Sequence, residues 1–134
     1  MLSEQLRTMG VVGAGGAGFP AEVKAKSQVE FILANGAECE PLLHKDFEIM
    51  KRYPAEIVSG MKRMMESTQA SQGRFCIKEK NKEAVAAIEP YAKAAGIDLT
   101  MLGDFYPSGD EYEIVYAATG RLIPAAGIPL NVGC

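Results

Sequence analysis

Apolar residues in this chain fall into short continuous runs, separated by longer stretches in which they recur every three or four positions. Val29-Glu30-Phe31-Ile32-Leu33 is the first run; it ends at Asn35-Gly36, a strong turn signal, and reads as a buried strand. Arg74–Lys78 and Ile97–Leu102 read as the second and third strands. The intervening stretches are helical. One helix is expected from about Lys45 to Arg52, broken by Tyr53-Pro54, and Pro54 suits the opening of the next because the first helical position needs no N–H. That next helix carries Ile57, Met61, Met64 and Met65 at helical spacing, a methionine stripe that reads as core packing. Asn81 can cap a further helix whose apolar face is Ala84, Val85, Ile88, Ala92 and Ala95; Pro90 should kink or divide it and Gly96 should end it. A polar loop, Gly103–Asp110, leads to a last helix over Glu111–Ala118, and the Pro/Gly-rich Leu122–Cys134 reads as extended. Strand, helix, strand, helix, strand at this spacing predicts one α/β domain with a largely parallel sheet. In such sheets ligands sit beyond the carboxyl ends of the strands.

Upstream lies a segment that fits neither period. Gly13-Ala14-Gly15-Gly16-Ala17-Gly18-Phe19-Pro20 holds four glycines in six residues, closed by an aromatic and a proline. Without Cβ atoms the backbone can approach a flat or anionic ligand and point successive N–H groups at its oxygens. The plain alternative is a flexible loop, which the apolar lead-in Val11-Val12 and the Phe-Pro terminator disfavour. The same residues spell G-x-G-x-x-G, and Glu38 lies 20 positions after Gly18, as in a dinucleotide-binding fingerprint. That motif needs a strand before it and a long helix after it. Here Ser3–Gly10 reads as a capped helix, Val11-Val12 leaves little room for a strand, and Ala21–Lys26 is barely two helical turns. An ordinary NAD(P)-binding Rossmann domain is therefore the second choice.

Composition narrows the classes. The 134 residues are 48% hydrophobic, enough for one real core, and a net charge of −3 argues against a nucleic-acid binder. With no membrane-length apolar run and no signal-peptide pattern, a cytoplasmic protein is the expectation. Cys39, Cys76 and Cys134 are odd in number and far apart, and His44 is the only histidine, so neither a disulfide framework nor a metal site is expected.

Three loops should open on one edge: the glycine cradle, Asn35–Pro41 after the first strand, and Tyr106–Glu111 after the third. Asn35 can read a heterocycle edge or a sugar hydroxyl, or can simply make the turn. Glu38 and Glu40 straddle Cys39 and, in an extended loop, point the same way; they can accept hydrogen bonds from ribose or nicotinamide amides, or stand as solvated acids. Lys24 can meet a phosphate or a ring N1–C2 carbonyl edge, or lie exposed on its helix. Tyr106 can stack on a planar ring or pack on the sheet.

These blocks, with Thr119-Gly120-Arg121 and Pro129-Leu130-Asn131-Val132-Gly133, resemble the FMN/NADH-binding domain shared by the flavoprotein component of respiratory complex I and by one component of the Rnf electron-transport complexes. Cobalamin reductases and the electron-transfer proteins of proline reductase belong to the same family. The resemblance runs from about Gly10 to Gly133. Complex I relatives carry arginine and aspartate where this chain has Ala14 and Ala37, so the Rnf type is the better match. The resemblance implies a Rossmann-like three-layer domain that binds FMN and takes hydride from NADH, with no catalytic side chain of its own. Gly13, Gly15, Lys24, Asn35 and Glu38 would line the FMN, with Gly16 and Gly18 completing the cradle. Phe19, Glu40, Tyr106 and Glu111 would face the nicotinamide dinucleotide, and Gly109 and Asp110 would lie close to the flavin. It further implies a fragment of a longer protein, incomplete at its C-terminus, whose other parts supply iron–sulfur clusters. Other electron-transfer subunits, peripheral membrane association through a complex, and pairing of an open sheet edge with a second copy are the expected partnerships. A non-catalytic assembly module with an incomplete cofactor site is the alternative from another class.

Overall fold

Three short strands, β1 (Phe31–Asn35), β2 (Gln72–Lys78) and β3 (Asp98–Leu102), pair in parallel in the order β1-β2-β3 in the computed structural model, which describes residues 1–134. Phe31 stands opposite Gln72 and Asn35 opposite Cys76; across the other ladder Arg74 stands opposite Asp98 and Lys78 opposite Leu102. The helices are α1 (Leu2–Thr8), α2 (Ala21–Lys26), α3 (Lys45–Arg52), α4 (Pro54–Thr68), α5 (Lys82–Ala94) and α6 (Glu111–Thr119), followed by a 3-10 turn over Pro129–Val132.

Alternation along β2 sorts the helices onto two faces. Phe75 and Ile77 point into a cluster with Met50 of α3, Val58 and Met61 of α4, and Ala84, Ile88 and Ala92 of α5. Cys76 points the other way, to Ala37, Leu102 and Ile114 of α6. The result is the expected three-layer α/β arrangement, with the larger core on the α3–α5 side. Gly73 has no space for a side chain, since a Cβ there would lie 2.8 Å from Met65 Sδ and 3.0 Å from Ile97 Cγ1. The α4 helix therefore packs directly on the β2 backbone.

Several elements differ from the sequence expectation. β1 begins two residues late because Glu30 N and Phe31 N both donate to Gly133 O and Val29 N donates to Thr68 O, so the start of the apolar run serves the C-terminal turn and the end of α4. Ala34 and Asn35 extend the strand instead. Of the two outcomes expected at Pro90, division does not occur: α5 runs through it to Ala94. Pro90 and Ala86, whose carbonyl loses its partner, are not sealed in the core, so water can satisfy the freed oxygen. Asn81 occupies the capping position of α5 without a side-chain capping bond, and Ser3 is buried inside α1, which starts at Leu2. The last segment is not wholly extended. No helix is long and apolar enough to cross a membrane.

Candidate functional site

Because β1 pairs only with β2, its other edge is open, and a cleft of about 790 Å³ runs along it. Four consecutive residues, Ile32 to Asn35, line this cleft, which is possible only at a strand's edge because successive side chains leave opposite faces. Ile57, Met61 and Met64 of α4 form one apolar wall, and Ile114 and Val115 of α6 form the other. Ile128, Pro129, Leu130 and Cys134 add the C-terminal turn. Its polar groups are Lys24, Asn35, Glu111 and the backbone of the glycine loop.

The glycine loop has a pinned neck. Val12 pairs with Pro20 in a single antiparallel bridge, Gly13 N donates to Phe19 O at 2.8 Å, and Ala21 N donates to Val11 O at 3.1 Å. Within the loop Gly16 and Gly18 adopt φ of 90° and 65°, which only glycine does readily. Gly15 differs: its φ is ordinary and a Cβ there would meet nothing within 4 Å. No element of the fold requires a glycine at that position, and the residue lines the cleft. Lys24 reaches back over the Phe19 ring, its Nζ 5.6 Å from the centroid. A lone bridge before the loop and a six-residue helix after it are not the surroundings of a dinucleotide-binding fingerprint.

The remaining candidates divide by what holds them. Asn35 donates from Nδ2 to Gly109 O at 2.9 Å and accepts at Oδ1 from Ala37 N at 3.0 Å, so it builds its loop as well as lining the cleft. Glu38 is held by the start of α3. Its Oε2 accepts from Asp46 N at 3.1 Å and its Oε1 lies 3.7 Å from Lys45 Nζ, which places the carboxylate at the positive N-terminal end of α3. Lys45, hydrogen-bonded chiefly to Asp46, has its pKa raised. Glu40 is exposed, and Tyr106 is 77% exposed rather than packed on the sheet. Asp110 caps α6 by accepting from Tyr112 N at 3.3 Å, and Glu111 follows it into the cleft. Gly109 is a packing glycine, since a Cβ would overlap Ala37 O. The cleft thus unites Gly13, Gly15, Phe19, Lys24, Asn35 and Glu111, whereas Gly16, Gly18, Glu38, Gly109 and Asp110 shape or fasten the loops.

Sequence reasoning missed the apolar walls and two fastenings. Arg121 ties the C-terminal turn to β1: it pairs with Glu30, donates to Val132 O at 2.8 Å and lies 4.9 Å from the Phe31 ring centroid. Lys78, at the end of the central strand, is buried with Nζ 3.7 Å from Asp104, which also binds Lys80 at 2.7 Å. Lys80 chiefly, through its hydrogen bond, holds the Asp104 carboxyl below its usual range. A lysine directly after the apolar run Phe75-Cys76-Ile77 was the available signal for that fastening.

Residues 6–134 match the Nuo51 FMN-binding domain. The cobalamin reductase PduS of Salmonella typhimurium is 46% identical over 132 residues, a match covering 98% of this chain and 29% of that protein. A component of the ion-translocating oxidoreductase complex of Vibrio cholerae is 33% identical over 135 residues, covering 98% of this chain and 18% of that one. A component of the Na(+)-translocating ferredoxin:NAD(+) oxidoreductase complex of Acetobacterium woodii is 32% identical over 140 residues, covering 98% and 31%. The chain therefore spans less than a third of the length of each of these relatives. Among solved structures, an NAD+-reducing [NiFe]-hydrogenase in its H2-reduced state shares the fold, with a TM-score of 0.73 and 23% identity over 90% of this chain and 24% of the other. On the match over residues 6–134, the chain belongs to the Nuo51 FMN-binding domain family.

Proposed function

We propose that the cleft beside β1 holds FMN and that, within the complete protein, this domain accepts hydride from NADH and hands electrons to iron–sulfur centres carried elsewhere. The observation that carries the reading is Gly15, a glycine that no contact and no backbone angle of the fold explains, in a loop bordering an apolar cleft with one lysine. A cleft of about 790 Å³ is within the usual range of about 300–1,000 Å³ for small-molecule sites. The residues fit the group: backbone N–H groups of the cradle and Lys24 suit the phosphate and ring carbonyls, and the aliphatic walls suit the planar ring system.

FMN bound there would supply the two-electron to one-electron conversion that such electron transfer needs. The protein's own share is positioning and electrostatics. Lys24 contributes positive charge to a site whose ligand is anionic. Glu111, beside the cleft, and Glu40 and Tyr106, exposed on the neighbouring loops, are available to a dinucleotide approaching from solvent. Partnership with other electron-transfer subunits, including those of a membrane complex, belongs to this reading.

The test is a visible spectrum of the complete protein reconstituted with FMN, run beside Gly15→Val. The parent should show resolved flavin bands. The variant should lose them while keeping its circular dichroism and melting temperature, because a branched side chain would enter the cleft and not the core. A colourless parent, or a variant that keeps its flavin, would refute the assignment.

A further inference from the structure

The loops at the carboxyl ends of β1 and β3 meet at one residue, Gly109. The carbonyl of Gly109 accepts from Asn35 Nδ2 at 2.9 Å, and its N–H donates to Cys39 Sγ at 3.0 Å. Asn35 folds the first loop back on itself through Oδ1 and Ala37 N, at 3.0 Å. Ser108, beside the contact, is 1% exposed, with its Oγ 3.9 Å from the same sulfur. The fit leaves no slack, since a Cβ on Gly109 would overlap Ala37 O and lie 2.9 Å from Cys39 Sγ. At the far end of the second loop Asp104 is held by Lys80 and Lys78. The loop carrying Tyr106 is thus fastened at both ends.

We propose that Cys39 is a positioning residue: with Asn35 it clamps Gly109 on both sides of its Cα and joins the loops 36–41 and 103–110 into one rigid unit. The thiol is the only side-chain acceptor for the Gly109 N–H, a donor that would otherwise stand unpaired in a tight contact. For function the consequence rests on the flavin and dinucleotide reading: the clamp sets Glu40 and Tyr106, on separate loops, at a fixed spacing. Cys39 neither lines the cleft nor hydrogen-bonds to the glycine cradle, and Asn35 keeps its own bonds to Gly109 O and Ala37 N without the thiol, so removing the thiol alone leaves the flavin side in place.

Amide exchange and kinetics on the complete protein separate these statements. Cys39→Ala should speed exchange in residues 36–40 and 105–110 together, by about two- to tenfold, the worth of one hydrogen bond. Cys39→Ser keeps an acceptor and should recover most of the protection. Flavin content should stay near the parent's, while KM for NADH rises more than kcat falls. Faster exchange confined to residues 36–40, identical behaviour of the Ser and Ala variants, or joint loss of flavin and melting temperature would each overturn the clamp. A parent without flavin would end the functional reading alone, and the exchange comparison would still decide the clamp.

Discussion

Cys76 owes its chemistry to a single step along β2. One residue to either side, Phe75 and Ile77 face the larger core; Cys76 faces α6 and has no exposed surface. Burial pushes its thiol up from 9.0 to about 11, against the opposing pull of a hydrogen bond with Thr100. The folded pKa lies above the unfolded one, so the stabilisation is complete below pH 9.0 and is lost as pH rises through about 11. Two pH units correspond to roughly 3 kcal/mol. Urea midpoints of the parent should therefore fall more steeply between pH 9 and 11 than those of Cys76→Ala. At pH 8, iodoacetamide should label half-buried Cys134 slowly in the native state, its thiol being pushed up by partial burial, and reach Cys76 only on unfolding. Rapid native labelling of Cys76 would contradict its burial. The sequence showed three unpaired cysteines but not which of them the sheet would seal, because that depends on register.

Elements were legible where one local preference decided them and were displaced where a distant contact competed. Lys45–Arg52 has the expected limits, and the next helix opens at Pro54 as expected, because helical period, proline and breaker agree. β1 slipped to Phe31–Asn35 because Thr68 takes the N–H of Val29 and Gly133, about a hundred positions away in the chain, takes those of Glu30 and Phe31. No window around Val29 contains either partner. Pro90 is the converse case, a strong local breaker overruled by the buried face of Ala84, Ile88 and Ala92. A proline inside a helix costs about 3 kcal/mol. Since Pro90 is exposed and touches no core cluster, Pro90→Ala should stabilise the fold by about 1–3 kcal/mol, read as a higher urea midpoint at unchanged m-value. A lowered midpoint would mean that the ring packs against something the helix needs. For the site, the glycine loop was legible because its composition is useless to a core. The apolar walls were not, because Ile57, Met61 and Met64 look the same whether they face a core or a cleft.

At the scale of the molecule the two faces of the sheet are unequally built. Nine buried residues knit α3, α4 and α5 to the sheet, whereas four hold the α6 side together. The cleft lies at the β1 edge between the two sides and is walled by Ile57, Met61 and Met64 of α4, by Ile114 and Val115 of α6, by the glycine loop and by the C-terminal turn. A ligand bridging these walls stabilises the folded state in proportion to the logarithm of its concentration over Kd, about 2.7 kcal/mol at a hundredfold excess. In a domain of this size that corresponds to a rise of roughly 5–15 °C in Tm. FMN titrated into the chain should therefore raise its Tm continuously, and Gly15→Val should show no rise. Riboflavin, which has the ring system without the phosphate, should raise it less, because the cradle N–H groups and Lys24 then lose their anion. Equal shifts for the two flavins would move the phosphate away from the cradle, and a Tm indifferent to FMN in a folded chain would remove the flavin from the cleft altogether.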